Sequence, residues 1–247
     1  MPKRKKQKYP PNAAVEHEGK PVHIKQPIKA RNYGQELYLE SLRNATLTIC
    51  GGPAGAGKTF LVTAVALEKL LSREVNRIVV TRPVVQAGED LGFLPGTLEE
   101  KLDPYLLPLF DALQDHVGPM KAKMLLEDQK IEIAPLAYMR GRTFNNAFVI
   151  LDEAQNTTIE QMRMFLTRIG HGSTFSINGD VTQSDLKKPR DHTGVWENGL
   201  QYAIRKLTGR DSQINYIAFE NQDVVRSEIV KTILTLLDSP DSPKGSV

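Results

Sequence analysis

The feature that most constrains this chain is a glycine-rich stretch, Gly52–Thr59, with the sequence GPAGAGKT. It follows a short apolar run, Thr46–Cys50, that predicts a strand. It precedes Thr59–Leu71, in which apolar residues recur at helical spacing. In a strand-loop-helix unit of this kind, backbone N–H groups surround phosphate oxygens at a helix N-terminus. The segment therefore predicts a P-loop and a nucleoside triphosphate as its ligand.

The residue types of this loop have separate predicted roles. The Lys58 ammonium reaches the β and γ phosphates, and the Thr59 hydroxyl binds Mg²⁺. We expect ATP and Mg²⁺ as the cofactors. The predicted nucleotide-binding residues of the loop are Gly52, Pro53, Ala54, Gly55, Ala56, Gly57, Lys58 and Thr59.

A second motif supplies the carboxylates that a P-loop requires. The apolar run Ala147–Leu151 predicts a buried strand, and Asp152 and Glu153 follow at its carboxyl end. Asp152 is the predicted second magnesium residue, and Glu153 is placed to orient or deprotonate an attacking water. The pair favours hydrolysis over phosphate transfer to another substrate. The alternative for Glu153 is an acid in the first turn of a helix, stabilised there by the macrodipole.

A polar turn follows another predicted strand, Thr174–Asn178. Gln183 or Asp180 in this turn is a candidate to hydrogen-bond the γ phosphate or the attacking water, and so to distinguish ATP from ADP. An ordinary polar turn is the alternative interpretation. After the Asp152–Gln155 motif, the pattern is typical of helicase-like P-loop ATPases.

The alternation of predicted strands and helices indicates an α/β fold, with a mostly parallel sheet and helices on both faces. We expect a basic, Pro-containing disordered tail at 1–25, one P-loop ATPase domain at 26–238 with a helical insertion at about 88–127, and a frayed C-terminus at 239–247. The remaining predicted strands are Arg77–Thr81, Ile131–Ala134 and Ile214–Phe219, and the remaining predicted helices are Gln35–Leu42, 157–169, 194–207 and 224–237.

The charge is unevenly distributed. Five basic residues lie before Tyr9, and without them the formal net charge of +3 becomes −2. The tail is either a solvated solubility element or an arm that contacts phosphates. The single cysteine, Cys50, excludes an internal disulfide and any cysteine-rich zinc site. The chain shows neither a secretory signal nor an apolar run long enough to cross a bilayer, so we expect a cytoplasmic protein.

Several further stretches resemble the PhoH-like family of ATPases, whose single core is similar to the first RecA-like domain of helicases. The matching stretches are Thr81–Pro83, Leu91–Gly96, Pro104–Leu109, Tyr138–Thr143, Ile150–Asn156, Phe165–Gly170 and Asp223–Arg226. The resemblance covers most of residues 30–237 and implies a RecA-like fold and a role in RNA metabolism. The family's Asn-Gln pair before the first strand is Gly34-Gln35 here, which leaves Gln35 as the adenine-reading candidate.

Arginines mark the carboxyl edge of the predicted sheet. Arg82 and Arg226 each follow a predicted strand, and Arg140 and Arg142 follow the strand Ile131–Ala134. Arg82, Arg140 and Arg142 are the candidates for nucleic-acid contacts. Arg226 is a candidate for stabilising phosphate charge, with a helix-start ion pair as the alternative. Arg168 is expected to form a structural salt bridge.

The leading functional prediction is an ATP hydrolase that acts on single-stranded RNA or DNA, with helicase activity as one form of that coupling. Helicase-like motors place the nucleotide between two RecA-like cores, and this chain has one, so a homo-oligomeric ring, a hexamer, would complete the site. The alternatives are a nucleotide-gated binding module with little turnover and a small-molecule kinase. A regulatory GTPase is disfavoured because no [NT]-K-x-D guanine motif is present.

Overall fold

A computed structural model describes residue 24, residues 28–83, 98–186 and 197–224, and residue 229. The described helices are α1 Tyr33–Asn44, α2 Lys58–Leu71, α3 Leu98–Val117, α4 Pro119–Glu127, α5 Ile159–Leu166 and α6 Gly199–Leu207. The described strands are β1 Leu47–Gly51, β2 Arg77–Arg82, β3 Ile131–Pro135, β4 Ala147–Leu151, β5 Thr174–Gly179 and β6 Ile214–Ala218. Short 3₁₀ turns lie at Leu136–Met139, Ala154–Asn156 and Asn221–Asp223.

The described strands form one sheet in the order β3-β2-β4-β5-β1-β6, and every neighbouring pair is parallel. The strand before the P-loop, β1, is separated from the strand before Asp152, β4, by β5 alone. All carboxyl ends lie at the same edge. The predicted α/β fold with a mostly parallel sheet is confirmed.

Helices cover both faces of the sheet, as predicted, because consecutive strand residues point to opposite sides. On one side, Ile78, Val80 and Ile150 pack with apolar residues of α1–α4. On the other side, Val79 and Val149 pack with α5 and α6. All residues of β1, β4 and β5 are buried, which is typical of a parallel sheet with two covered faces.

The described part of the predicted insertion, 98–127, is helical. Its buried residues Leu109, Leu113 and Leu125 belong to the same apolar cluster as α2. Helices α3 and α4 therefore pack on the same face of the sheet as α2.

Two predicted helices begin later in the structure because side-chain caps set their starts, and the first of them also ends earlier, at Leu166. The Thr158 side chain accepts a hydrogen bond from the Gln161 backbone N–H, and the Gln161 side chain accepts one from the Thr158 backbone N–H, at the start of α5. Asn198 and Gln201 form the same two bonds at the start of α6. Most of the predicted helix at 224–237, most of the predicted tail at 1–25 and the C-terminus at 239–247 lie outside the described residues. Among the described helices, none combines the length and apolar character that a membrane crossing requires.

Candidate nucleotide site

A cleft of about 310 Å³ lies at the carboxyl edge of the sheet, above β1, β4 and β5. It brings together the three motifs that the sequence singled out, although they are far apart in the chain. Its lining residues are Ala54, Gly55, Gly57, Lys58, Thr59, Phe60, Asp152, Glu153, Gln155, Gly179, Asp180 and Gln183. A larger groove of about 840 Å³ runs along α1, away from these motifs.

The loop that begins the cleft is shaped for a phosphate. Gly57 has a left-handed backbone (φ 86°) and precedes Lys58, the first residue of α2, so no side chain caps this helix. A Cβ atom on Gly52 would lie 2.6 Å from the Phe219 Cβ and 2.7 Å from its carbonyl oxygen. The uncapped N–H groups at the start of α2 favour an anion in the cleft.

Lys58 supplies the positive charge of the loop. Its Nζ donates to the carbonyl oxygens of Gly52 (2.7 Å) and Pro53 (2.8 Å), so the ammonium spans the loop. A phosphate oxygen offers the ammonium a charged acceptor in place of these neutral ones.

The two predicted magnesium residues lie in contact. The Thr59 hydroxyl donates to Asp152 Oδ1 at 3.1 Å, although the two residues belong to different strand-loop units. Asp152 is 4% exposed. Burial, and next the charge of Glu153, raise the pKa of Asp152 from 3.8 to about 6, while Arg82, Thr59 and Lys58 counteract part of that rise. A buried carboxylate beside a hydroxyl is a suitable pair of oxygen ligands for Mg²⁺.

No group of three or more His, Cys, Asp or Glu side chains in the described ranges could hold a metal by itself. Mg²⁺ does not require such a group, because it is commonly held by one or two protein oxygens together with phosphates and waters. The Thr59 hydroxyl and the Asp152 carboxylate are the pair of protein oxygens in this cleft that are already in contact with each other.

Asp152→Asn is expected to stabilise the nucleotide-free protein while abolishing Mg·ATP binding. A raised acid pKa means that the folded state binds more protons than the unfolded state between about pH 4 and 6, so this group's contribution to stability falls as pH rises through that window. The shift of about two units corresponds to at most about 3 kcal/mol at neutral pH. Thermal unfolding should show a melting temperature a few degrees higher for the variant at pH 7 and no difference near pH 4.

The matched control for this measurement is Asp128→Asn, which removes an exposed acid at the end of α4. It should leave the melting temperature unchanged at both pH values. A lower melting temperature for Asp152→Asn at pH 7 would show that the ionised carboxylate is net stabilising without a bound cation.

Glu153 lies beside Asp152 in an unusual conformation. Its backbone is left-handed (φ 52°), which is uncommon for a residue other than glycine. Arg82 Nη2 donates to Glu153 Oε1 at 2.6 Å, and Gln155 Nε2 donates to Oε2 at 2.5 Å. The predicted role of Glu153 in orienting water stays a prediction, and its contacts with Arg82 and Gln155 were not predicted. Adjacent β2 and β4 bring Arg82 to it.

The turn after β5 places both candidate sensors on the cleft. Asp180 is 6% exposed, its Oδ1 accepts from Thr182, and its buried Oδ2 has no hydrogen-bond partner among the described residues. Gln183 is exposed at the mouth of the cleft. The Asp180 backbone N–H donates to Gln155 Oε1 at 3.0 Å, which connects this turn to Glu153.

Gln35, the adenine-reading candidate, lies behind the P-loop. It is 4% exposed, its Nε2 donates to the Ala56 carbonyl at 3.1 Å, and its Oε1 accepts from the Arg31 backbone N–H at 2.9 Å. The Gln35 amide thus connects α1 to the P-loop through Ala56, and to the segment that precedes α1 through Arg31. A contact between Gln35 and adenine requires one of these bonds to be exchanged.

The arginines have different surroundings. Arg140 is exposed after the Leu136–Met139 turn. Arg142 pairs with Glu132 at 2.5 Å and lies over the Phe144 ring. Arg168 donates to the carbonyl oxygens of Met164 and Arg142 and to the Thr167 hydroxyl, so its hydrogen bonds among the described residues are to neutral oxygens and not to the acid of the expected salt bridge. Arg226 lies outside the described residues.

Comparison with known proteins gives a family. Residues 27–238 match the family described as PhoH-like protein. The chain is 46% identical over 225 residues to a PhoH-like protein of Synechocystis sp., covering 89% of this chain and 66% of that protein. It is 49% identical over 211 residues to a PhoH-like protein of Bacillus subtilis, covering 85% and 64%. The Escherichia coli K12 protein PhoH is 48% identical over 210 residues, covering 84% and 57%. The chain thus spans less than two thirds of these relatives.

Solved structures with some likeness are more distant. A large terminase of a thermophilic bacteriophage, in complex with ADP, gives a TM-score of 0.49 at 14% identity, covering 84% of this chain and 50% of that one. The Pif1 helicase of Candida albicans gives 0.39 at 16% identity, covering 87% and 46%. Both scores are too low to carry a functional assignment.

Proposed function

This chain belongs to the PhoH-like protein family, and from that premise we propose that it binds ATP with Mg²⁺ and hydrolyses the γ phosphate. The contact between Thr59 and Asp152 carries the proposal. It joins the P-loop to the carboxylate strand at the one cleft that also holds Lys58 and Glu153. That arrangement serves a nucleoside triphosphate because phosphate, cation and attacking water each have a matching group.

The division of labour follows from the geometry of these side chains. Lys58 and the N–H groups at the start of α2 bind the β and γ phosphates. Thr59 and Asp152 hold Mg²⁺, which when bound neutralises charge on the phosphates. Glu153 accepts the proton of the attacking water, and Gln183 or Asp180 contacts the γ phosphate or that water.

We further propose single-stranded RNA or DNA as the partner, in the cytoplasm, with a homo-oligomeric ring, a hexamer, as the working assembly. Arg140 and Arg142 follow β3, and Arg82 ends its neighbour β2, so the basic candidates share one half of the sheet edge. One core covers a bound nucleotide on one side only. In a ring, the neighbouring subunit supplies the second surface.

Two other functions are compatible with the same fold. A nucleotide-gated binding module would use Lys58 and Asp152 with little turnover. A small-molecule kinase would not need Glu153, which is why hydrolysis is favoured over it.

The proposed activity predicts that purified protein releases phosphate from ATP and that single-stranded nucleic acid accelerates this release several-fold. The measurement is steady-state phosphate release with Mg²⁺, alone and with an oligouridylate or oligothymidylate of about 20 nucleotides. Acceleration should weaken as salt is raised, because contacts to backbone phosphates release counterions.

A control without Mg²⁺ should be inactive. Tight binding of ATP with no phosphate release would favour the binding module. Phosphate release that neither oligonucleotide changes would remove nucleic acid from the proposal and leave the hydrolase.

A further inference from the structure

Glu153 is held at both carboxylate oxygens while the magnesium residues are already together. Arg82 Nη2 contacts Oε1 at 2.6 Å and Gln155 Nε2 contacts Oε2 at 2.5 Å. In the same structure the Thr59 hydroxyl contacts Asp152. The two magnesium residues are therefore in contact with each other, whereas Glu153, the group that would activate water, is bonded to Arg82 and Gln155.

This engagement opposes general-base catalysis. A general base has to present an oxygen lone pair to the proton of water within hydrogen-bond reach. A charge-assisted bond from a guanidinium withdraws electron density from the carboxylate and fixes its orientation. Glu153 paired with Arg82 thus has one oxygen occupied and its orientation fixed, so it is less free to present a lone pair to water.

Arg82 approaches Glu153 from the side away from the P-loop. In the sheet order, β2 lies beyond β4, whereas β1 and its loop lie on the other side of β4, past β5. A γ phosphate bound by Lys58 is therefore across Asp152 from the guanidinium, whose Nη2 lies 4.0 Å from Asp152 Oδ2. The neighbouring strand on the Arg82 side is β3, which is followed by the exposed Arg140.

We propose that Arg82 is a positioning residue that restrains Glu153 between turnovers, and that a backbone phosphate of single-stranded nucleic acid releases Glu153 by binding the Arg82 guanidinium. The proposal rests on the hydrolase function proposed above. In this proposal the contact between Arg82 and nucleic acid has two effects. It binds the strand, and it permits hydrolysis because it releases Glu153.

The pair is suited to such an exchange. The side chains of Arg82 and Glu153 are 18% and 38% exposed, so solvent reaches the ion pair and weakens it. A guanidinium binds phosphate through parallel N–H···O bonds at least as well as it binds a carboxylate. Gln155 stays bonded to Glu153 and to the Asp180 backbone N–H, which keeps the released carboxylate beside the cleft.

Arg82→Gln tests the restraint because it removes the charge and keeps a polar side chain. Without nucleic acid, kcat for ATP hydrolysis should rise several-fold, towards the rate that the unmodified protein reaches with the same oligouridylate. KM for ATP should change less than about twofold, since no phosphate or metal contact is removed. Adding the oligouridylate should then accelerate the variant little or not at all.

Two further variants separate a restraint from a general structural role. Arg82→Lys restores a cation beside Glu153 and should bring the rate without nucleic acid back below that of Arg82→Gln. Arg205→Gln breaks another 2.6 Å ion pair, with Glu197, remote from the cleft, and should behave as the unmodified protein. Thermal unfolding of all three confirms that each is folded.

Three outcomes would contradict the proposal or the function on which it rests. If the unmodified protein hydrolyses ATP and Arg82→Gln is no faster, the restraint is overturned and Arg82 supports the active state instead. If Arg82→Gln is faster but still responds fully to oligouridylate, phosphate binding by Arg82 is overturned as the release step. If neither protein hydrolyses ATP, the proposed hydrolase itself is overturned.

Discussion

Glu153→Gln is expected to retain Mg·ATP binding and to lower kcat by about 10²–10⁴-fold, the range that a positioned general base contributes. The substitution keeps the size of the side chain and leaves Lys58, Thr59 and Asp152 in place. It removes the ability to accept a proton from water and the charge that pairs with Arg82. Equilibrium titration with a fluorescent ATP analogue should give a dissociation constant within about threefold of the original, while single-turnover phosphate release falls to near background.

Lys58→Ala and Asp152→Ala provide the contrast, because they remove the phosphate contact and the metal contact. Both should lose productive Mg·ATP binding as well as turnover. Equal turnover in Glu153→Gln and the unmodified protein would exclude Glu153 as the base. The turn after β5 would then hold the leading candidate, Asp180, whose buried Oδ2 has no partner among the described residues.

The parts of the site that the sequence predicted are those encoded locally. The phosphate loop is one continuous segment between a strand and a helix, and Asp152 directly follows an apolar strand, so both could be placed before any tertiary contact was known. The strands are short, mainly apolar runs that end at or shortly before polar, glycine or proline residues, which is why both ends of all six described strands were predicted within one residue.

The contacts of Glu153 could not be predicted in this way, because they depend on strand order. Arg82 reaches Glu153 only because β2 and β4 are neighbours, and Gln155 reaches Asp180 only because β5 lies on the other side of β4. The positive φ of Glu153 follows from the tight turn after β4. Sequence spacing placed Arg82 at the correct edge but gave no partner for it.

The role of Gln35 also depends on tertiary packing, and the sequence alone did not reveal it. The family resemblance implied a contact between Gln35 and adenine, yet the packing of α1 behind the P-loop uses the Gln35 amide to bond Ala56 and Arg31. A polar residue near a ligand loop in sequence can support the loop from behind, and only the path of the helix distinguishes the two roles.

We propose that each active site of the ring is completed by Arg226 of the neighbouring subunit. Loss of this arginine has the largest expected effect on turnover. Arg226→Ala protein that still assembles and binds ATP should hydrolyse it about 10³–10⁵-fold more slowly, the contribution of an arginine that stabilises charge on the transferred phosphate from a neighbouring chain. Steady-state phosphate release, with assembly followed by light scattering, measures both requirements.

Mixing experiments distinguish an arginine that acts on a neighbour from one that acts within its own chain. Lys58→Ala protein lacks a working loop but keeps Arg226, and Arg226→Ala protein has the reverse, so each is inactive alone. In a mixed ring, an interface that joins an intact loop to an intact arginine should hydrolyse ATP, and activity should exceed that of either variant. If Arg226 acted within its own chain, no interface in the mixture would hold both intact groups and mixing would restore nothing. An unmodified monomer whose rate per chain does not change with protein concentration would overturn the shared site, because a single core would then hold every group that hydrolysis needs.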